Sequence, residues 1–97
     1  MYIVKMTVKS YRVIIKGIVQ GVNFRNFTKR EADRIGIKGY VKNTHDGHVE
    51  AFFEGEEDRI KEMIATVHTG PPSSRVKEVK LYEQESLSNF KDFKVIR

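Results

Sequence analysis

Residues 17–25 read Gly17-Ile18-Val19-Gln20-Gly21-Val22-Asn23-Phe24-Arg25 and connect a predicted β-strand to a predicted α-helix. Two glycines give this connection the backbone freedom that a tight turn requires. Successive N–H groups in such a turn can converge on an anion, and the start of the helix adds the positive end of its dipole. Arg25 adds a guanidinium in the first helical turn. The stretch therefore predicts a phosphate-binding turn; the alternative is an ordinary strand–helix loop whose glycines only ease the bend.

Hydrophobic patterns predict the elements on both sides of this turn. β-branched residues concentrate between Tyr11 and Ile18 and predict a first strand that enters the turn. From Phe24 to Ile35 apolar residues recur at helical spacing, and Gly36 ends the predicted helix.

The rest of the chain continues with four strands and one helix. Asp46-Gly47 is a strong hairpin signal, and Gly70-Pro71-Pro72 ends a helix whose start is rich in acidic residues. The predicted elements are strands at residues 38–44 and 48–54, a helix around the apolar stripe of Ile60, Met63, Ile64 and Val67, a strand at residues 75–85 and a short strand at residues 93–96.

This order, β-α-β-β-α-β with a small extra strand, predicts an α+β fold: a ferredoxin-like sandwich with a mainly antiparallel sheet and two helices on one face. Right-handed crossovers then place the first and second strands parallel to each other, on either side of the third. Their C-terminal ends share one edge. We therefore expect the turn at residues 17–23 and Asn43, at the end of the second strand, to lie about 10 Å apart, with room for a phosphate and a water.

Length and composition limit the classes of protein. With 97 residues the chain forms one domain, and without cysteine it has no disulfide, thiolate nucleophile or zinc–thiolate site. The start, residues 1–6, is too short and too charged for a signal peptide or membrane span, so we expect a cytoplasmic protein with no membrane partner.

The net charge of +5 is unevenly distributed. Residues 1–43 carry ten Lys and Arg against two acidic residues, which gives +8, and residues 44–97 carry eight against eleven, which gives −3. The turn at residues 17–25 lies in the basic part, which would attract an anionic ligand. A basic stretch can also be a solvated face or bind nucleic acid weakly.

A second group of residues lies in the predicted hairpin: Gly39-Tyr40-Val41-Lys42-Asn43, followed by Gly47, Val49 and Gly55. Together with residues 17–25, these residues make the chain resemble the acylphosphatase family, enzymes that hydrolyse the carboxyl–phosphate anhydride of acyl phosphates to a carboxylate and inorganic phosphate. We therefore expect an N-terminal extension at residues 1–10 and an acylphosphatase-like domain at residues 11–97.

The resemblance implies roles for residues of both motifs. Arg25 and the turn bind the substrate phosphate, and Asn43 positions the attacking water. It also implies that the substrate's own phosphate accepts the water's proton, so no catalytic carboxylate or histidine, no metal and no cofactor is expected. Phosphoryl transfer needs mainly positioning and charge stabilisation, which agrees with these roles. The implied phosphate-binding residues are Gln20, Gly21, Val22, Asn23, Phe24 and Arg25.

Two positions depart from the common family pattern. Asn23 stands where glycine is usual, and Ile18 stands where a basic residue is frequent. Asparagine tolerates the left-handed conformation, so the turn can still form, although a helix N-cap is the alternative role for Asn23. The alternatives for Arg25 and Asn43 are a solvated helix-start arginine, which the helix dipole disfavours, and a strand-end turn residue.

Two other classes of function share this fold. An RNA-recognition motif has the same topology, and Lys38-Gly39-Tyr40 resembles the start of its aromatic signature, but Lys42 and Thr44 stand where further aromatic residues are needed. A small regulatory ligand-binding domain explains the fold but not the pairing of a cation and an amide at one edge. We expect His45 and His48 to be exposed loop residues. The expected partners are a small acyl phosphate and inorganic phosphate, with no specific nucleic acid, and we expect a monomer.

Overall fold

A computed structural model describes residues 7–97 of the chain. Its elements are β1 (Val8–Ile18), α1 (Phe24–Ile35), β2 (Lys38–Asn43), β3 (Val49–Glu56), α2 (Glu57–Thr69), β4 (Arg75–Glu83) and β5 (Phe93–Ile96). Both helices pack on one face of a five-stranded sheet, which confirms the predicted α+β ferredoxin-like sandwich. In the described part of the chain, neither helix is long and apolar enough to cross a membrane.

The strands lie in the order β4-β1-β3-β2-β5. β1 and β2 both pair with β3 in antiparallel fashion and are therefore parallel to each other, as predicted. β5 pairs with β2 in parallel, and Ile96 lies opposite Lys42. The C-terminal ends of β1, β2 and β5 consequently lie at the same end of the sheet.

The two helices bury regularly spaced side chains against the sheet. α1 ends at Gly36, whose left-handed backbone (φ 94°) lets its N–H bond the carbonyl of Ala32 at 2.8 Å. Arg59 of α2 donates from Nη1 to the carbonyl of Ile35, at 2.6 Å, so one helix satisfies the end of the other. The buried helical residues are Phe24, Thr28, Ala32 and Ile35 of α1 and Ile60, Met63 and Val67 of α2.

The sheet contributes the other half of this core. Its fully buried side chains include Val13, Ile15, Val41, Ala51 and Phe53, and the Phe53 ring lies 6.2 Å from that of Phe93. Successive side chains of a strand point to opposite faces of the sheet, so every second residue faces the helices and these five side chains lie in one layer. The core therefore fixes the strand ends from which the turns at the functional edge begin.

The other face of the sheet carries a polar and aromatic cluster. The Glu50 carboxylate accepts hydrogen bonds from Arg12 Nε at 3.0 Å and from the Tyr40 hydroxyl at 2.9 Å. Burial, followed by the bond to Glu50, raises the pKa of Tyr40 to about 12. The Tyr40 ring stacks on Phe52, and Phe90 packs against both. These three aromatic residues therefore pack together on the sheet face away from the helices.

The first strand is longer than predicted. β1 begins at Val8 rather than Tyr11, because Val8–Ser10 pairs with Glu54–Glu56 of β3. Part of the expected N-terminal extension is thus strand, and residues 1–6 lie outside the described residues.

Four other strand boundaries also differ from the prediction. β2 ends at Asn43 and β3 begins at Val49, because Thr44 and His48 close the hairpin loop through an N–H···O bond of 2.9 Å. β3 continues to Glu56, where its pairing with Val8 ends. β4 ends at Glu83 rather than residue 85.

Candidate active site

The turn between β1 and α1 contains two left-handed residues. Gly21 has φ 73° and Asn23 has φ 64°. Asn23 stands at the N-cap position, but its side chain makes no capping hydrogen bond. Its Oδ1 instead accepts from Asn26 Nδ2 at 2.9 Å. Asn23 therefore occupies the N-cap position in a left-handed backbone conformation, but its side chain does not cap the helix.

Several N–H groups of this turn have no partner. Within residues 7–97, none of Gln20, Gly21, Val22 and Asn23 donates its backbone N–H to another group. The first N–H groups of any α-helix also lack intrahelical acceptors. The first turn of α1 also contains no acidic residue that could accept hydrogen bonds from these N–H groups. This strand–helix junction is consequently a concentration of unpaired donors at the positive end of a helix.

Two of these residues, Gly21 and Asn23, line a cleft of about 240 Å³. Arg25 and Asn43, the two predicted catalytic residues, both line it, although they are 18 positions apart and belong to different elements. The parallel arrangement of β1 and β2 is what brings them to one edge. The lining residues are Val19, Gly21, Asn23, Phe24, Arg25, Asn26, Asn43 and Arg97, and no carboxylate side chain is among them.

Arg25 is a half-buried cation with no acidic partner in the described part of the chain. Its Nη1 donates to the main-chain carbonyl of Ile96 at 3.4 Å. A cation at a helix N-terminus is unfavourable without an anion, since the helix dipole is positive there. The arrangement is therefore suited to an anionic ligand.

Gln20 has a structural contact that the sequence did not predict. Its side-chain Nε2 donates to the carbonyl of Thr44 at 2.8 Å and to that of His48 at 2.7 Å. These bonds tie the turn to the hairpin loop next to Asn43. Gln20 does not line the cleft, and its side-chain nitrogen bonds the hairpin loop instead.

Val22 is similarly held by the neighbouring loop. Its carbonyl accepts a hydrogen bond from Ser73 Oγ at 3.0 Å. Of the six residues predicted to bind phosphate, Gly21, Asn23, Phe24 and Arg25 line the cleft, whereas Gln20 and Val22 do not. The turn is thus braced from two sides, by the β2–β3 loop and by the loop before β4.

Asn26 and Arg97 are cleft residues that the sequence analysis missed. Arg97 Nη2 donates to Asn26 Oδ1 at 3.3 Å. Asn26 follows Arg25 in the first turn of the predicted helix, so the sequence could have indicated that it lies near the cleft. Arg97 carried no such signal, because its position depends on the parallel pairing of β5 with β2.

The hairpin loop carries the two histidines. His45 is exposed as predicted, but the prediction is wrong for His48, which is partly buried with its Nε2 3.7 Å from Asp46 Oδ2. A hydrogen bond from the Thr44 hydroxyl lowers the pKa of Asp46. Neither histidine lines the cleft. Among residues 7–97, no three His, Asp or Glu side chains are grouped as a metal site.

Comparison with known proteins identifies the family. The Acylphosphatase family model matches residues 11–95. An acylphosphatase of Caldivirga maquilingensis is 46% identical over 85 residues, which are 87% of this chain and 90% of that protein. An acylphosphatase of Rubrobacter xylanophilus is 42% identical over 87 residues, or 90% and 79% of the two chains.

A solved structure agrees with these sequence relatives. The crystal structure of acylphosphatase from Bacillus subtilis superposes with a TM-score of 0.89 and 37% identity, covering 94% of this chain and all of the other. The fold and the matched length agree. The chain therefore belongs to the acylphosphatase family and is an enzyme that hydrolyses the carboxyl–phosphate bond of acyl phosphates.

Proposed function

We propose that Arg25 and the backbone N–H groups of residues 20–24 bind the phosphate of the acyl phosphate, and that Asn43 positions the attacking water. The observation that carries this proposal is the single cleft that Arg25 and Asn43 line together, with no carboxylate side chain among its lining residues.

Phosphate binding is supported by three features that act on the same anion. The N–H groups of the turn have no other acceptor in residues 7–97, the N-terminus of α1 contributes its dipole, and Arg25 contributes a full charge. These groups are already oriented before the reaction. They stabilise the charge on the equatorial phosphate oxygens without rearrangement, which is how preorganised donors lower a barrier.

Asn43 is suited to hold a neutral nucleophile. Its amide can accept a hydrogen bond from a water and donate one to it. The water oxygen forms a bond to phosphorus while the bond between phosphorus and the acyl oxygen breaks, and the carboxylate leaves. A phosphate oxygen accepts the proton of the water. No side chain of the protein is protonated or deprotonated in this scheme.

Gln20 is a positioning residue in the same proposal. Its side chain bonds two carbonyls of the hairpin loop, one of them on Thr44, directly after Asn43. These bonds fix the turn that carries the phosphate relative to the strand end that carries the water. Such positioning matters because a small displacement of a reacting group can cost a large fraction of the rate.

Hydrolysis of benzoyl phosphate by the purified chain, with and without EDTA, tests the reaction. We expect the same rate in both, because no ligand cluster for a metal is present in residues 7–97. Activity that disappears in EDTA and returns with magnesium or zinc would contradict the scheme.

Asn43→Ala tests the role of the amide. We expect kcat to fall by about 10- to 100-fold, in the range that one oriented catalytic group contributes, while the inhibition constant of inorganic phosphate stays close to the wild-type value. Asn89→Gly is the matched control, because it removes an amide from a left-handed position outside the cleft. An equal loss in phosphate binding would show that Asn43 contacts the phosphate rather than the water.

A monomeric state, a cytoplasmic location, the absence of a specific nucleic-acid partner and the boundary after residue 10 stay predictions. Sedimentation of the purified chain with and without RNA tests the first and third.

A further inference from the structure

We propose that Asn23, Asn26 and Arg97 form a second anion-binding wall of the cleft, and that Arg97 favours acyl phosphates whose acyl part carries a carboxylate. This proposal rests on the proposed function of the same cleft, and it adds the class of substrate.

Hydrogen bonds join the three residues in a chain. Arg97 Nη2 donates to Asn26 Oδ1 at 3.3 Å, and Asn26 Nδ2 donates to Asn23 Oδ1 at 2.9 Å. The Asn26 amide thus uses its oxygen toward one neighbour and its nitrogen toward the other. All three side chains line the cleft. The guanidinium of Arg97 is consequently connected to the cleft by one hydrogen bond, to Asn26.

The backbone of Asn23 is a second and independent observation. Its φ of 64° is left-handed, a conformation that glycine adopts more easily than asparagine. Glycine at this position would keep the turn but lose the acceptor of the Asn26 bond. The side chain of Asn23 therefore has a contact that accounts for asparagine at a position where the backbone alone favours glycine.

The charges of the cleft point to a ligand with more than one anionic group. Arg25 and Arg97 bring two guanidinium groups to a cleft of about 240 Å³, and neither forms an ion pair within residues 7–97. Arg25 and the N–H groups of the turn are sufficient for the phosphate. The guanidinium of Arg97 bonds a neutral amide, and no side-chain carboxylate of residues 7–97 pairs with it. A carboxylate on the acyl group supplies that partner.

Three aryl acyl phosphates test the proposal: benzoyl phosphate, 4-carboxybenzoyl phosphate and the neutral 4-carbamoylbenzoyl phosphate. We expect the wild-type chain to have a kcat/KM for the carboxy substrate about threefold above that for the carbamoyl substrate at low salt, as for one exposed ion pair. Arg97→Gln should bring this ratio close to one, mainly through KM. Arg97→Lys should keep part of it, and added salt should reduce it.

Two results would overturn the proposal. The first is a carboxy-to-carbamoyl ratio that is the same in Arg97→Gln and wild type. The second is an equal loss on all three substrates with a weaker inhibition by inorganic phosphate, which would make Arg97 a phosphate ligand.

Direct binding separates this proposal from the proposed function. Phosphonoacetate and phosphonoacetamide differ in the same charge and do not need to be hydrolysed. We expect calorimetry to give tighter binding of phosphonoacetate to the wild-type chain and a smaller difference in Arg97→Gln. If the chain hydrolysed no acyl phosphate but showed this difference, the reaction scheme would fail and the anion wall would stand. Equal affinity for both compounds in wild type would exclude the wall.

Discussion

The starts of α1 and α2 occupy equivalent places in the fold, because each follows a strand and packs on the same sheet face, yet they have opposite chemistry. Five residues, 19–23, separate β1 from α1, whereas α2 begins directly after β3. The first turn of α1 has no acidic residue, and that of α2 has Glu57 and Asp58. The positive end of α2 is therefore matched by the protein's own carboxylates, and that of α1 is left for a ligand.

Hydrogen bonding and cations differ in the same direction. The N–H of Glu57 donates to the carbonyl of Thr7 at 2.9 Å, while the turn before α1 keeps its donors unpaired within the described residues. Arg59 of α2 reaches the C-terminal end of α1, where a cation is favourable, but Arg25 lies at the unfavourable end. One topology thus produces a stable helix start and a binding site, and the difference lies in what the sequence leaves unsatisfied.

The largest effect should come from removing the cation at the start of α1. We expect Arg25→Ala to lower kcat/KM for benzoyl phosphate by at least about 100-fold, by analogy with the loss of one preorganised donor, and to weaken inhibition by inorganic phosphate. Arg30→Ala is the matched control, because Arg30 is exposed on the same helix and contacts the Phe27 ring rather than the cleft. Near-wild-type activity of a folded Arg25→Ala variant would show that the cation at the start of α1 does not serve the substrate.

Making the start of α1 resemble that of α2 should have the next largest effect. Asn23→Asp adds a carboxylate at the N-cap without changing the size of the side chain. We expect the inhibition constant of phosphate to rise by about tenfold, since a like charge at short range costs about 1 kcal/mol or more even in water. Asn89→Asp, in a similar backbone conformation, serves as the control. Unchanged phosphate inhibition would show that Asn23 lies away from the bound anion.

The reverse change at α2 should affect stability rather than activity. Glu57→Gln combined with Asp58→Asn removes both carboxylates from the helix start. We expect the free energy of unfolding in urea to fall by about 0.6–2 kcal/mol, the sum of two such interactions with the helix dipole. Hydrolysis of benzoyl phosphate should be unchanged. A loss of activity comparable to that of Arg25→Ala would mean that the two helix starts are coupled.

Glu50, a carboxylate on the other face of the sheet, should give the smallest effect. Burial opposes ionisation of Glu50, but hydrogen bonds from Tyr40 and Arg12 outweigh it and lower the pKa of this carboxyl. Because the folded pKa is depressed, the stabilisation is complete above the unfolded value of about 4.3 and is lost as the pH falls through the folded value. The free energy of unfolding of the wild-type chain should exceed that of Glu50→Gln by about 1 kcal/mol at pH 7, and this difference should shrink toward pH 3.

Urea unfolding at pH 7, 5, 4 and 3 measures this difference. Activity at pH 7 should be the same for both chains, since Glu50 lies on the sheet face away from the helices. A difference that grows as the pH falls would contradict the sign of the shift.

Most of the fold could be predicted from the sequence because its local patterns agree with the packing in the structure. The apolar stripe at Ile60, Met63 and Val67 is buried as expected, and Gly36 ends α1. The start of β1 was missed because Lys9 interrupts the apolar pattern, and only pairing with β3 makes Val8–Ser10 a strand. Pairing over this distance in sequence is not visible in local propensity.

The same difference between local patterns and long-range pairing applies to the site. Arg25 and Asn43 were predicted because they belong to motifs whose elements are local. Arg97 was missed because β5 could have paired with either edge of the sheet, and only its place beside β2 brings Arg97 to the cleft. The Gln20 side chain was missed because its acceptors are main-chain carbonyls, which any sequence provides.

Those main-chain acceptors also bear on how the enzyme could be altered. The two hydrogen bonds from Gln20 to the carbonyls of Thr44 and His48 form a clamp between the phosphate turn and the hairpin loop. This clamp does not require a particular side chain at position 45, which is exposed and lies outside the cleft. A fluorophore attached there through His45→Cys would be the chain's single thiol label. Next to the clamp, such a label would report when the phosphate turn and the hairpin separate.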